Sequence, residues 1–141
     1  MSLRNLTRFR HYLIGSVGDL KRKAICVLDQ AFPEYQGVFS DTFGQTSSEL
    51  LLHFQTADDF ASITAEQLEA ALAGVSRKSF AKNKLTQVSA LGANSFGLKF
   101  CSGSLSLQLR LLIGQIKFIE TQVSDVKAEV AAILEKLNSP I

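Results

Sequence analysis

The side chains best placed for chemistry in this sequence are basic, and they fall into two separate blocks. Residues 1–23 carry six Lys or Arg residues against one acid, and residues 77–117 carry seven with no acid, whereas residues 24–76 carry eight acids and no Lys or Arg. The formal charge of +2 conceals this separation. Lys and Arg neutralise phosphates, so the blocks indicate nucleic-acid contacts that fix position without reading sequence, although a solvated charged surface is the alternative. The residues predicted to make these contacts are Arg4, Arg8, Arg10, Arg77, Lys78, Lys82 and Lys84.

Ionisable groups that could support catalysis are few. Glu49 and His53 are four residues apart and could share a metal ion on one helix face, but no third ligand is spaced to join them. Asp58 and Asp59 follow Thr56 in what reads as a first helical turn, where acids stabilise the helix dipole. The sequence has no phosphate-binding glycine loop and no serine in a nucleophile motif. We therefore predict no catalytic residue, no metal site and no cofactor for this chain.

The cysteines and the apolar runs indicate where the protein works. Cys26 and Cys101 stand far apart in apolar surroundings, a pattern typical of buried, reduced thiols in a cytosolic protein. No stretch of about 18 apolar residues is present, and no apolar signal core follows the basic N-terminus. These features predict a cytoplasmic protein that does not contact a membrane.

A long C-terminal helix is the clearest structural signal. From residue 105 to residue 137 apolar residues recur at alternating steps of four and three, a period of 3.5 that defines one seam over about five heptads and requires a partner helix. The seam residues are Leu105, Leu109, Leu112, Ile116, Ile119, Val123, Val126, Val130, Ile133 and Leu137. The flanking positions offer little complementary charge and two extra apolar residues, Ile113 and Leu134, which favours a wide seam in a helical pair or bundle.

A second apolar stripe accompanies this seam only in the first half of the helix, at Leu107, Leu111 and Phe118. We therefore expect the helix to pack on a globular body first and then to project from it. Because the projecting half has a seam and no second stripe, we predict that it pairs between subunits. The residues predicted for this dimerisation are Val123, Val126, Val130, Ile133 and Leu137.

A second long helix is predicted at the N-terminus, over residues 3–32. The same rhythm of three and four holds there with only Arg10 interrupting it, and Pro33 ends the helix by forcing the preceding residue out of the α region. Gly15 and Gly18 lie inside this run and predict a bend or a close helix contact. The two long helices have similar lengths and matching seams, so we expect them to pack antiparallel.

The residues between the long helices predict a small helical insert. Short apolar runs alternate with glycines, and strand signals are weak. Ser47 or Ser48 is expected to cap a helix over residues 49–54, Thr56 a turn around Phe60, and Thr64 a further helix through a capping box with its partner three residues later.

A last helix of the insert is predicted over residues 80–93, with Lys82 and Lys84 pointing outward, followed by an extended loop over residues 95–101. The predicted protein is thus all-α. Its parts are an N-terminal long helix (residues 1–33), the insert (residues 34–103) and a C-terminal coiled-coil helix (residues 104–141).

Several stretches in order along the chain resemble the middle region of insertion-sequence-110 family transposases. The resemblance rests on spaced arginines, a Phe-Pro-Glu sequence at residues 32–34, and the heptad leucines. The similar stretches are residues 6–13, 19–23, 27–35, 48–54, 57–72, 76–77 and 109–137. They cover nearly the whole chain, although no single motif among them is diagnostic.

The resemblance implies a region without catalytic residues. Members of that family carry four metal-binding acids, which should lie before Leu3, and a serine-bearing domain with an Ile-Pro-Gly-Ile-Gly-like segment, which should follow Ile141. It also implies a parent protein of the bacterial cytoplasm that associates with the nucleoid, uses a divalent metal such as Mg²⁺, and recombines DNA guided by an RNA from its own element. This region would join the two catalytic halves and help subunits assemble.

A free-standing helical adaptor that binds a protein partner through its heptad seam is the alternative interpretation. An independent hydrolase is a third, and it would require a convergent group of acids or a His–nucleophile pair that the sequence does not present.

Overall fold

The computed structural model describes residues 2–73, 78–97 and 102–138, and every element within these ranges is helical. The elements, in order, are α1 Ser2–Ala31, a 3₁₀ turn Pro33–Gly37, α2 Gln45–His53, α3 Ala57–Ala61, α4 Ala65–Ala71, α5 Lys78–Ala93 and α6 Ser102–Asn138. Two long helices therefore bracket a set of short ones, and the predicted all-α class with a helical insert is confirmed.

The long helices α1 and α6 pack side by side and run in opposite directions. Leu20 of α1 lies beside Ile119 of α6, and Val27, seven residues later in α1, lies beside Leu112, seven residues earlier in α6. On one flank of this interface, Nζ of Lys21 lies 3.8 Å from a carboxylate oxygen of Glu120. The two predicted seams thus meet within one chain, which confirms the antiparallel pairing.

Burial along this helical hairpin is uneven. The buried residues of α6 are Leu105, Leu109, Ile113 and Ile116, all in its first half, where the insert also packs. Leu13 is the buried residue of α1 nearest its N-terminus. The end formed by the first turns of α1 and the last turns of α6 therefore projects from the body, as the sequence predicted. Contacts between the seams of α1 and α6 hold the two helices together there.

The two glycines of α1 do not mark a helix contact. A Cβ added to Gly15 would meet nothing within 4 Å, and one added to Gly18 would approach only the guanidinium of Arg22, 3.7 Å away at its nearest atom. The helix continues through both positions. The expectation of a close contact there is wrong, because these glycines lie away from the surface that α6 covers.

The core of the insert is aromatic. The rings of Phe32, Tyr35 and Phe60 contact one another with centroids 5.2–5.8 Å apart, and all three side chains are inaccessible to solvent. Pro33 follows the last residues of α1 and turns the chain, so that Tyr35 points back into this cluster. Its hydroxyl lies 2.8 Å from the Ser47 hydroxyl. Burial raises the pKa of the Tyr35 hydroxyl well above its usual range, and the hydrogen bond with Ser47 opposes this only in part.

Two of the three predicted caps are correct. Thr56 caps α3 in a capping box with Asp59, and Thr64 caps α4 in another with Gln67, with side-chain to backbone distances of 3.1–3.2 Å. The expected cap at Ser47 or Ser48 is wrong because α2 begins earlier, after Gly44. Both serines lie inside that helix and are buried.

The short helices are held in place by close packing. Helix α5 crosses α3 at Gly92, where an added Cβ would stand 2.6 Å from the Ala57 carbonyl oxygen and 2.7 Å from the Ala61 nitrogen. Only a residue without a side chain allows the two backbones to approach this closely. This contact fixes α5, the helix that carries three of the seven basic residues of the second block, against the rest of the insert.

Candidate nucleic-acid interface

Arg4 and Arg8 of the first basic block lie on the outer surface of the projecting end of the hairpin. Arg4, Arg8 and His11 stand three or four residues apart on α1, so they share one face, and all three are exposed. Helix α1 has no acidic residue before Asp19. Among the described residues neither Arg4 nor Arg8 forms an ion pair. Their guanidinium groups are therefore available to an anionic partner.

Arg10 differs in position from Arg4 and Arg8, although the sequence pattern grouped the three arginines together. It occupies a seam position, where α1 faces α6, and its side chain is only partly exposed. Its Nε atom is buried without a hydrogen-bond partner in the described part of the protein. Leaving a buried donor unpaired is unfavourable, so Arg10 interrupts the apolar seam at an energetic cost. It contributes less to an external basic surface than the sequence indicated.

The second basic block begins outside the described residues, because Arg77 lies there. Lys78 and Lys82 stand in the first two turns of α5. Lys84 is partly buried: its Nζ donates to the carbonyl of Val38 and lies 5.1 Å from the centre of the Phe39 ring. The prediction that Lys84 points outward is therefore wrong, since this lysine holds the segment after the 3₁₀ turn against α5.

The structure does not bring Lys84 together with the arginines of the first block. Val38 and Phe39, which Lys84 contacts, follow the C-terminal end of α1, whereas Arg4 and Arg8 lie in the first turns at its other end. A helix of 30 residues is about 45 Å long. Arg4 and Arg8 therefore lie far from Lys84.

The residues predicted for dimerisation lie in the second half of α6. Val123, Val126, Val130 and Ile133 are half-buried, and Leu137 is 71% exposed. The register of the hairpin places this seam against the first half of α1 in the same chain. These side chains thus contribute to the intrachain hairpin, as expected from the matching seams of the two long helices.

The other candidate groups have structural partners or stand alone. Glu49 forms an ion pair with Lys117 of α6, and His53 is exposed. Within the described ranges no three His, Cys, Asp or Glu side chains are grouped as metal ligands. Cys26 is exposed, so the prediction that it is buried is wrong; the position of Cys101 lies outside the described residues. The thiol of Cys26 lies on the side of α1 that borders α6 rather than in the seam.

Sequence reasoning missed an apolar groove between α1 and α6. The second stripe, Leu107, Leu111 and Phe118, was expected to bury α6 against the body, but these side chains are 47%, 56% and 64% exposed. That expectation is wrong because α6 contacts the insert through a different face, with Ile113 buried and Lys117 bound to Glu49. Two residues of the exposed stripe, Phe118 and Leu111, instead line two open cavities of about 480 and 510 Å³ between the long helices.

Comparison with known proteins adds no relative: no protein-family model, curated protein or solved structure matches the chain. In the part that the structure describes, no helix is long and apolar enough to cross a membrane.

Proposed function

We propose that the chain is a non-catalytic region of an insertion-sequence-110 family transposase that contacts nucleic acid and supports subunit assembly. One observation carries the first part: Arg4 and Arg8 are exposed, lack ion-pair partners among the described residues, and lie on the projecting end of the hairpin. The sequence resemblance supplies the class of parent protein, and with it the DNA and guide RNA of a mobile element as partners.

The proposed contact is electrostatic and does not read bases. Two arginines one turn apart match phosphates along a nucleic-acid backbone, and each contact releases condensed counterions. The partner is an extended phosphate backbone rather than a small anion, since the arginines stand on an open helix surface and not in a cavity. Affinity should therefore be low, fall steeply with added salt, and differ little between sequences.

Changing Arg4 and Arg8 together to Gln tests this proposal directly. Binding of the variant to a fluorescent RNA hairpin and to duplex DNA should weaken, and the slope of log affinity against log salt should decrease by roughly 1 for each arginine removed. Fluorescence anisotropy over a range of salt concentrations measures both quantities.

A matched control distinguishes the loss of these particular contacts from a general loss of positive charge. Arg110 is exposed in the first half of α6, away from the projecting end, so Arg110→Gln removes the same charge as Arg8→Gln from another place. Arg8→Gln should weaken binding more than Arg110→Gln does. Equal affinities for the two variants, or no loss in the double variant at low salt, would mean that the first block is only a solvated surface.

The second block needs its own test. The triple change of Arg77, Lys78 and Lys82 to Gln should weaken binding further, while Lys84 is kept because it holds Val38 and Phe39 in place. Circular dichroism should show the same helix content for the triple variant and the parent chain. If binding does not change, the contact with nucleic acid is confined to the hairpin.

The adaptor interpretation is less well supported by the packing of the hairpin. It requires a heptad seam that is free to receive a partner helix, and the seams of α1 and α6 pack on each other within the chain. A protein partner would have to bind another surface of the hairpin.

A further inference from the structure

The face of the hairpin opposite the insert exposes an apolar groove along α1 and α6. The insert contacts the other side of α6, where Phe43 and Ser48 border a separate cavity beside Lys117. Nothing in the described chain covers the groove itself. Seven residues of each long helix line it, namely Ser16, Asp19, Leu20, Lys23, Cys26, Val27 and Gln30 of α1, and Gln108, Leu111, Leu112, Gln115, Phe118, Ile119 and Gln122 of α6.

The two cavities of the groove repeat with the spacing of one heptad. Leu20, Phe118 and Ile119 line one cavity, and Val27, Leu111 and Leu112 line the other. Each residue of the first set is seven positions from its counterpart in the second. Seven residues of α-helix rise about 10 Å, so two similar hollows lie about that far apart. A helix with large apolar side chains one heptad apart would fill both hollows, as knobs fill holes in a coiled coil.

The same face of this protein supplies such side chains. Leu111 and Phe118 are seven residues apart, and both are more than half exposed. We propose that a second copy of the chain docks on this groove, face to face and related by two-fold symmetry, with Leu111 and Phe118 of each copy entering the hollows of the other. A surface that carries both the hollows and the matching side chains is self-complementary, as a two-fold interface requires.

The charges of the groove suit a second copy. Most of the polar residues that line it are uncharged, chiefly glutamines, and charged residues are depleted in the centres of protein interfaces. The two charged residues, Asp19 and Lys23, have opposite signs and lie about one turn apart on α1, where Asp19 also pairs with Arg22 of its own helix. A two-fold axis that passes between them brings Asp19 of each copy near Lys23 of the other.

The area of this face suffices for a stable dimer. Phe9 and Tyr12 stack on each other at the projecting end and are 49% and 65% exposed, and they continue the α1 edge of the groove at the same helical spacing. From Phe9 to Gln30 the face is about 30 Å long, and two helices are about 20 Å wide. The resulting area of roughly 600 Å² per subunit reaches the lower bound of specific interfaces.

This inference rests on the proposal that the chain supports subunit assembly. It places the contact between subunits at the groove and not at the seam of α6. Sedimentation equilibrium of the full chain at rising concentrations should give twice the monomer mass of 15.4 kDa. The double variant Leu111→Lys and Phe118→Lys should stay at the monomer mass with unchanged circular dichroism, since both side chains are exposed in the monomer and their loss leaves the core intact.

The control changes Ile14 and Leu134 to Lys. These residues are each 42% exposed, but they do not line the groove, so this variant should still dimerise. Alkylation of Cys26, located by peptide mass spectrometry, gives an independent readout: it should slow as the wild-type concentration rises and should not slow for the Leu111/Phe118 variant.

Two results would overturn the proposal. A wild-type chain that remains monomeric at every concentration would leave the groove to a helix of another protein, and a Leu111/Phe118 variant that still dimerises would place the interface elsewhere. Either result is independent of nucleic-acid binding, because Arg4 and Arg8 do not line the groove. A monomeric variant that still binds RNA would leave the proposed nucleic-acid contact in place.

Discussion

The projecting end of the hairpin and the insert are stabilised by different kinds of packing. In α6 no residue after Ile116 is buried, and the end is held by one seam between two helices of 30 and 37 residues. The insert instead uses one helix of 16 residues and three helices of five to nine residues around side chains that solvent does not reach. Helices that short are unstable alone, so each depends on its neighbours. The hairpin should therefore tolerate local change and the insert should not.

The largest contrast is expected from truncating one side chain in each region. Phe60 is inaccessible and contacts the rings of Phe32 and Tyr35, so Phe60→Ala should lower the free energy of unfolding by about 3–5 kcal/mol. Val130→Ala, at a half-buried seam position, should cost about 1 kcal/mol. Urea denaturation followed by circular dichroism measures both, and equal losses would contradict the contrast.

Glycine substitutions should have opposite signs in the two regions. At Gly92 a methyl group would clash with the backbone of α3, so Gly92→Ala should destabilise the protein by about 1–3 kcal/mol. At Gly15 the space is open, and Gly15→Ala should stabilise it by about 1 kcal/mol because alanine favours the helix. Thermal melting of the two variants provides the comparison. Stabilisation by both would mean that α3 and α5 can separate easily.

Alkaline pH should destabilise the insert through Tyr35. Its pKa is raised in the folded state, so below about pH 10 the hydroxyl is neutral in both states and its titration does not change stability. Above that pH the unfolded chain loses the proton while the folded chain keeps it, and stability falls by about 1.4 kcal/mol per pH unit. Tyr35→Phe should remove this part of the pH dependence.

Urea denaturation at several pH values, with Tyr12→Phe as the control, tests that expectation. Tyr12 is 65% exposed on the hairpin, so Tyr12→Phe removes the same hydroxyl group from outside the buried cluster. At neutral pH Tyr35→Phe should cost about 1 kcal/mol, because the buried Ser47 loses its hydrogen-bond partner. Identical alkaline slopes for wild type and Tyr35→Phe would contradict the buried, neutral state of the hydroxyl.

A small effect is expected at the one charged residue in the seam. Arg10→Leu would remove the unpaired buried Nε and continue the apolar series, and should stabilise the hairpin by about 1 kcal/mol. The melting temperature should rise while binding to RNA decreases less than in Arg8→Gln. A lower melting temperature would show that the Arg10 charge has a favourable partner when the chain is in solution.

The features that the sequence determined by itself are local or strictly periodic. A heptad pattern sustained through α1 and α6 specifies two long helices whose seams must be covered, and Pro33 sets the end of the first. The caps at Thr56 and Thr64 were predictable because a capping box joins residues only three apart. The exposure of Arg4 and Arg8 also follows from their positions off the seam.

The tertiary structure alone decided which of the remaining faces meet. Periodicity marks Leu111 and Phe118 as a second apolar stripe, but the insert packs on the neighbouring face of α6 and leaves them exposed. In the same way, Ser47 forms a hydrogen bond with the buried Tyr35 hydroxyl and does not cap a helix. Lys84 donates a hydrogen bond to the carbonyl of Val38 and does not point into solvent. These contacts join residues 12 to 68 positions apart in sequence, and a helical pattern carries no information about what lies across the interface.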